Sequence, residues 1–426
     1  VTTPFGLLVR EIAPYGLLGL GDQLVTYQSH HHALFLDQTV SDALGGEGWA
    51  VRRQAAFEAS HALLHSFYAE LGVDEADERI ELATELFAAM GQGRLVFDVT
   101  AEGGTVRAHG LHHGESFREK YGARLKNRRP VDTFAAGFVS AAASLAFPSD
   151  WGTLEADEAA CIARRDDLCV FALTRRPERP RFGAVVTRGL VERLPQIPPA
   201  EVPRPSPAAS RAASELARLL HGSPLSPTDE GNAFRAFGSR VAMVPVSYTG
   251  QIIFDTAHLV EKRSPELFPL VATLAREAAT MGAFHLLGGV LASPLWQAEN
   301  GKPARELEVR LEQLLGLARA LGWGAFDAEE IHPGRSLLLR SPMTHESAYY
   351  GARHGTAVRA RLFFQQGLGL ALMYLLENVD FESEQPIGPD TYDALFRSGP
   401  RFEAHETRSP LRGDAFCEVS VEAVQH

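Results

Sequence analysis

Cysteine is scarce in this chain, with three in 426 residues. An odd count that low excludes a disulfide framework and fits a reducing, cytosolic setting. Long apolar runs are missing too. No stretch reaches the roughly 18–20 residues that a membrane span needs, and the longest candidates, 136–147 and 367–376, carry a helical pattern. Basic residues do not predominate: 53 Asp and Glu stand against 41 Lys and Arg, a net charge of −12. That balance argues against a nucleic-acid or anionic-membrane surface over the whole chain. The opening VTTPFGLLVREIAP has no basic segment ahead of a long apolar core, so no signal peptide is expected. A start at Val1 rather than Met points to trimming or processing. The chain also lacks a Gly-x-Ser-x-Gly elbow, a phosphate loop ending in Gly-Lys-Ser/Thr, a His-Glu-x-x-His pair and a Gly-x-Gly-x-x-Gly turn. Its lone Ser, His and Asp residues are not ordered into a triad.

What the chain does have is a duplicated pattern. Hydrophobic residues make up 45% and charged residues 22%, the composition of a soluble globular protein, and 426 residues suit two or three domains. In LEADEAACIARRDDLCVFAL, residues 154–173, Glu158 stands three residues before Cys161, and Cys169 follows eight later. The remaining cysteine lies in a degraded copy of that stretch: Glu406, Ser409 and Cys417 each come 248 residues after Glu158, Cys161 and Cys169. Zinc accepts thiolate and carboxylate in tetrahedral sites, and two thiols on a hairpin can converge on one ion. The competing account is a pair of buried cysteines packed as small hydrophobes. The first copy is the candidate for a metal, and in the second Glu406 is expected to be a solvated or salt-bridged carboxylate.

Periodicity supplies the elements between these stretches. Residues 1–30 mix apolar and turn residues and give only short strands. His30, His31 and His32 are adjacent, so they cannot share one face, and they are expected to cap or flank a helix. Ala55, Ala59, Leu63, Phe67 and Leu71 recur every four residues, which predicts a helix over 50–71 stopped by Gly72. A second helix over 74–90 turns Ile80, Ala83, Phe87 and Met90 inward. Strands follow from Leu95 with a turn at Gly103-Gly104, and a helix after Pro130 carries Phe134, Phe138, Ala141 and Leu145 on one side. His112, His113 and Glu115 are expected in a surface loop. The 154–173 stretch closes the unit as two strands joined by a turn at 164–167. Prolines at 177, 180, 195, 198, 199, 203, 205 and 207 mark a semi-rigid linker. A short helix over 208–220 follows, then Pro- and Gly-rich chain over 222–231. Helices over 265–290 and 304–321 begin the second copy. LGWGAF answers MGQGRLVF with Gly322 231 residues after Gly91, HES at 345–347 matches GES at 114–116 at 231, and Gly367 lies 230 after Gly137. The wider spacing at the cysteine stretch places about 18 extra residues in an acidic loop, 377–394.

These features together resemble the 4-vinyl reductase domain family, on MGQGRLVF, AAGF at 135–138, and the Glu158, Cys161, Cys169 hairpin, with LGWGAF, QQGL, ETRS and GDAFCE in the second half. The resemblance covers 30–175 well and 250–424 more loosely. It implies an α/β fold like that of the TRAPP small subunits, which pairs into dimers. Aromatic-sensing relatives at the head of transcriptional activators hold zinc with two hairpin cysteines, the glutamate and one earlier cysteine. That cysteine's place, five residues before Gly137, holds Asp132 here, and Leu362 in the second copy. The metal set implied is therefore Asp132, Glu158, Cys161 and Cys169, and Phe134 and Phe138 would border a ligand pocket. No ATPase or DNA-binding segment is read, so a complete activator of that type is not expected.

The expectation is an α/β (α+β) fold of two tandem helix-plus-antiparallel-sheet domains, 1–176 and 209–426, joined by a Pro-rich linker, 177–208, and paired as a pseudo-dimer. The expected function is cytoplasmic binding or sensing of a small apolar or aromatic molecule, with structural zinc in the first domain. A reductase acting on a tetrapyrrole vinyl group with an external reductant, and a protein–protein adaptor without ligand, are the alternatives. A protein partner or a homo-oligomer is compatible with each; nucleic acid is not expected.

Overall fold

The computed structural model describes residues 9–122, 131–149, 152–177, 189–195, 204–222, 234–383, 387–388, 390–398 and 401–424. Three strands open the chain: β1 (Val9–Ile12), β2 (Leu17–Leu20) and β3 (Gln23–Ser29). Helices α1 (His30–Leu44), α2 (Gly46–Leu71) and α3 (Ala76–Ala89) follow, then the hairpin β4 (Val96–Thr100) and β5 (Gly103–Ala108). Next come α4 (His112–Tyr121), α5 (Thr133–Ala146) and the closing strands β6 (Thr153–Ala160) and β7 (Cys169–Arg176). After α6 (Pro207–Gly222) the order recurs: β8 (Arg235–Ala236), β9 (Ser239–Pro245), α7 (Val246–Arg263), α8 (Phe268–Ala292), α9 (Pro294–Asn300) and α10 (Leu307–Ala320). Then follow β10 (Asp327–His332), β11 (Ser336–Ser341), α11 (His345–His354), α12 (Phe363–Glu377), α13 (Thr391–Ser398), β12 (Phe402–Arg408) and β13 (Cys417–Ala423). The fold is thus α/β in composition, with helices packed on antiparallel sheets.

Two of the sheets have the same strand order, β4-β5-β7-β6 and β10-β11-β13-β12. Even the irregularities repeat: β6 bulges between Glu158 and Ala160, and β12 between Glu406 and Arg408. Each sheet is half-buried, so its strands alternate. Leu154, Ala156 and Glu158 on β6 point inward, as do Cys169, Phe171 and Leu173 on β7. A long helix lies against each: α5 packs on α2 and α12 on α8. A Cβ on Gly137 would come within 2.4 Å of the Ala56 Cβ, and one on Gly367 within 2.5 Å of the Ala279 Cβ. Glycine is required at both positions because two helix backbones nearly touch there.

The third sheet, β1-β2-β3-β9-β8, draws strands from both halves. β3 pairs with β9 antiparallel, from Val25↔Pro245 to Ser29↔Val241, a register symmetric about Tyr27↔Met243. Exchanges across this seam are reciprocal. The Met243 N–H donates to the Met90 carbonyl at 2.8 Å, and the Tyr27 N–H to that of Leu321 at 3.0 Å. Gln92 Nε2 donates to the Met243 carbonyl at 3.0 Å, and Trp323 Nε1 to the Tyr27 carbonyl at 2.9 Å.

Most predicted helices are present within a few residues, and Gly72 stops α2 in the left-handed region at φ 67. Leu71, last in the predicted apolar stripe, is 41% exposed. Ser29 is the N-cap residue of α1, so the three histidines form that helix's first turn. Four expectations need correction. Gly103 and Gly104 belong to β5, and the turn is at Ala101-Glu102. The HES and GES triplets are not equivalent: α4 and α11 start 233 residues apart, because the β10–β11 turn is one residue longer than the β4–β5 turn and β10 carries one more residue than β4, at a bulge between Ala328 and Glu330. His345 therefore answers His112, and Glu346 answers His113. The acidic loop contains the start of α13. The surface loop at His112–Glu115 is instead the buried first turn of α4, since its charges are met by side chains far away in the chain. The segment 239–263, β9 and α7, went unrecognised in the sequence. Linker residues 178–188 and 196–203, and 223–231 of the Pro- and Gly-rich chain, lie outside the described residues. Among the described residues no single helix is long and apolar enough to cross a membrane; 265–292 with α9, bent by 54°, passes on length and composition alone.

Candidate metal centre and adjoining cavity

Inward alternation along β6 and β7 aims Glu158 and Cys169 at the same point beneath α5. After the bulge, Cys161 enters from the turn, its N–H donating to Asp166 Oδ2 at 2.7 Å. Asp132, the N-cap residue of α5, arrives from above. The four side chains are buried, and one ligand atom from each lies within 4.8 Å of all the others. Asp132 Oδ2 is 3.5 Å from Cys161 Sγ and 3.4 Å from Cys169 Sγ. Zinc–sulfur and zinc–oxygen bonds of about 2.3 and 2.0 Å at a tetrahedral angle put sulfur and oxygen about 3.5 Å apart, so this spacing already suits the ion.

Hydrogen bonding leaves the cluster open toward a cation. Glu158 Oε2 accepts the Asp132 N–H at 3.1 Å, and its Oε1 is buried without a partner. Burial, then the charges of Asp132 and Cys161, push the Glu158 carboxyl up to about 12. Cys161 is raised by its hydrogen bond with Cys169 and by burial. Cys169 is lowered by that same bond, but burial and Asp132 prevail and its pKa is raised. With no cation these groups hold their protons, because a second negative charge here has nothing to offset it. A divalent cation supplies that offset, so the donor set fits the ion.

The second copy shows what closing such a site requires. Leu362 replaces Asp132 and is fully buried. Glu406 accepts the N–H groups of Arg361 and Leu362 at 2.7 and 2.8 Å, and its other oxygen lies 3.2 Å from Arg412 Nε. Arg412 corresponds to Arg164, which in the first copy turns away to the Ala159 carbonyl and Asp166. Ser409 Oγ accepts the Leu411 N–H, and Cys417 Sγ lies 3.5 Å from Ser347 Oγ. The arginine occupies the role left to a cation in the first copy, so Glu406 is a salt-bridged carboxylate.

A cavity adjoins the first centre. About 410 Å³ there is unfilled by atoms, some of it open to solvent, and about 20 Å³ can take the centre of a water-sized molecule. Its walls are Gln28, Ala33, Leu36, Asp37, Gln92, His112, His113 and Phe134 from the first half, and Ala242, Val244, Tyr248, Thr249 and Ile252 from the second. Phe134 thus lines the cavity, while Phe138 lies one turn further on, packed against Phe87 at 4.8 Å between ring centroids. Sequence reasoning missed Asp37, Arg52 and Tyr248, whose roles come from contacts distant in the chain. His113 Nε2 makes a short contact with Asp37 Oδ2, and Arg52 Nη1 lies 2.9 Å from the same oxygen. Burial favours neutral forms of both, yet Arg52 and His113 hold Asp37 below its ordinary range, and Asp37 raises His113. His112, buried beside this cationic neighbour, is held well below its usual pKa and stays neutral.

Cavity and metal centre share their supports. Asp132 Oδ1 accepts the Gly114 N–H at 2.7 Å, so the residue after His113 is fixed by a member of the Asp132, Glu158, Cys161 and Cys169 cluster. Phe134 sits two residues beyond Asp132 on α5.

No protein-family model matches the chain, and no curated protein matches it. Among solved structures, the phenol-responsive sensory domain of the transcription activator PoxR, with phenol, is similar over 40% of this chain and 86% of its own, at 17% identity and a TM-score of 0.34. Likeness at this level bears on neither ligand nor activity.

Proposed function

We propose that the protein binds a small apolar or aromatic molecule in the first-half cavity, with zinc held by Asp132, Glu158, Cys161 and Cys169 as a structural clamp. The supporting observation is that segments 112–114 and 132–134 each serve both places: His113 and Phe134 line the cavity, while Gly114 and Asp132 are tied together at the metal centre. Mostly apolar walls with a few placed polar groups are what small-molecule sites use. An imidazolium beside a neutral imidazole would orient a ligand's hydroxyl or acid group. Because Tyr248, Thr249 and Ile252 come from the other half, filling the cavity bears on the seam between halves, which makes sensing the favoured use. The symmetric β3–β9 register supports tandem copies paired within one chain, as in dimers of the 4-vinyl reductase group. Free thiols at the centre suit a reducing, cytoplasmic compartment.

Native mass spectrometry of protein taken from cells tests this, with titrations of phenol, benzoate and toluene. The expectation is about one zinc per chain and saturable binding of at least one of these aromatics, weakened by His113→Ala. Protein that carries no zinc, takes none up and binds none of the three overturns the proposal.

A further inference from the structure

A helix begins with backbone N–H groups that none of its own carbonyls can accept, and a short polar side chain just before the helix ordinarily takes one of them. In the second half Thr344 does this at the start of α11, where its Oγ1 accepts the Ser347 N–H at 3.1 Å. The first half has no such group at α4. Leu111 precedes that helix and caps nothing, and Gly114 answers Ser347 at the same 233-residue spacing. Asp132 fills the role from 18 residues away: its Oδ1 accepts the Gly114 N–H at 2.7 Å.

The other oxygen of that carboxylate, Oδ2, is the one that lies 3.5 and 3.4 Å from the Cys161 and Cys169 sulfurs. One side chain therefore caps α4 and belongs to the buried cluster. The helix is seated tightly on it. A Cβ on Gly114 would come within 2.7 Å of Asp132 Oδ2 and 3.0 Å of Ile162 Cγ1, in the turn between the two cysteines. The second half, with Leu362 in place of Asp132, carries a serine at 347, whose Oγ lies 3.5 Å from Cys417 Sγ. The turn that Asp132 caps is also cavity wall. His112 and His113 stand just before Gly114 and line the cavity with Gln92, whose carbonyl accepts the His112 N–H at 2.9 Å. Phe134 lines it from α5, two residues beyond Asp132.

We propose that Asp132 couples the two places: a divalent cation of the zinc kind at the cluster tightens the binding of a small aromatic molecule in the cavity, and that molecule tightens the cation by the same factor. The coupling presupposes the aromatic-binding cavity proposed above and gives it a second input. Without a cation, Oδ2 faces two thiols, which are weak donors, and the carboxylate is free to turn. A cation bonded to Oδ2 fixes the carboxylate plane, and with it Oδ1 on the Gly114 N–H. The first turn of α4 then stays closed, and His112 and His113 keep their places in the cavity wall. A molecule packed against that wall favours the same closed turn, so both ligands select one state of α4. The second half has no such link, because Thr344 caps α11 without help from its damaged cluster. The competing account is a cation that supports the fold and leaves the cavity's affinity unchanged.

The test uses the full chain, zinc-loaded and stripped with a chelator at one pH, with circular dichroism to show that both are folded. Phenol, benzoate and toluene are titrated calorimetrically into each. Zinc affinity is measured by competition with a chromophoric chelator, with and without the aromatic that binds. The expected result is an aromatic held at least about fivefold tighter with zinc than without, and zinc held tighter by the same factor with the aromatic. Zinc-loaded Asp132→Cys keeps four donors but leaves the Gly114 N–H uncapped. It should bind the aromatic at least about fivefold more weakly than zinc-loaded wild type, and its aromatic affinity should no longer depend on zinc. If the stripped chain does not fold, the two zinc-loaded proteins decide between them. Equal aromatic affinity with and without zinc, or undiminished affinity in zinc-loaded Asp132→Cys, overturns the coupling and leaves the cation as fold support alone. A chain that binds none of the three aromatics in either state overturns the binding cavity itself, and the coupling with it.

Discussion

Replacing Asp132 with Leu copies into the first half the residue that the second half carries at Leu362. Two losses follow. The Gly114 N–H, now 2.7 Å from Asp132 Oδ1, is left buried without an acceptor, which costs about 1–3 kcal/mol. The metal centre loses one of four donors, and a chain holding zinc at about 100 times its Kd forfeits about 2.7 kcal/mol. Together that is about 4–6 kcal/mol, or a Tm lower by on the order of 10–20 °C for a unit of this size. Scanning calorimetry with and without a chelator separates the two parts. Wild type should contain about one zinc and lose only the metal part on chelation. Asp132→Leu should contain little zinc, melt lower at the start and ignore the chelator. Asp132→Cys should keep the metal and lose the Gly114 bond, so it should fall between them. An Asp132→Leu protein that retains one zinc per chain, or a wild type that neither holds nor takes up zinc, refutes the reasoning.

Asp37→Asn removes the carboxylate that serves both His113 and Arg52. The uncompensated buried charge should cost about 3–5 kcal/mol in urea unfolding, and the His113 pKa measured by NMR should drop, since burial is then unopposed. His30, His32 and His285 are each lowered to about 4, mainly by burial. Below their unfolded value of about 6.5 the unfolded chain binds more protons. Stability present above that value is therefore lost as pH falls toward 4, by on the order of 1–3 kcal/mol per histidine. A melting temperature that holds level between pH 7 and 4.5 contradicts this. Gly137→Ala drives a methyl into Ala56 and the Phe57 N–H group; unfolding should become easier by about 1–3 kcal/mol or more, and a neutral effect would mean that α2 and α5 are not so closely packed.

The sequence by itself determined the local elements and pointed to the four residues that the fold gathers into one buried cluster. Apolar stripes at a helical period fixed α2, α3 and α5, because burying one face is decided within a few turns of chain. The hairpin was equally local: strand alternation puts Glu158 and Cys169 on one face, and the matched spacing exposed its damaged copy at Glu406, Ser409 and Cys417. Asp132 entered only through the resemblance, which places a ligand five residues before Gly137. Tertiary structure alone decided the rest. That β3 joins β9 across the halves follows from backbone pairing, which leaves no mark on spacing, so 239–263 gave no signal. His112, His113 and Glu115 read as surface polar residues because polarity is local information, whereas their burial is made tolerable by Asp37, Arg52 and Arg240, distant in sequence and adjacent in the fold. The same holds for the cavity. His113 and Asp37 stand on two packed helices, α4 and α1, and only packing shows that they face the same space.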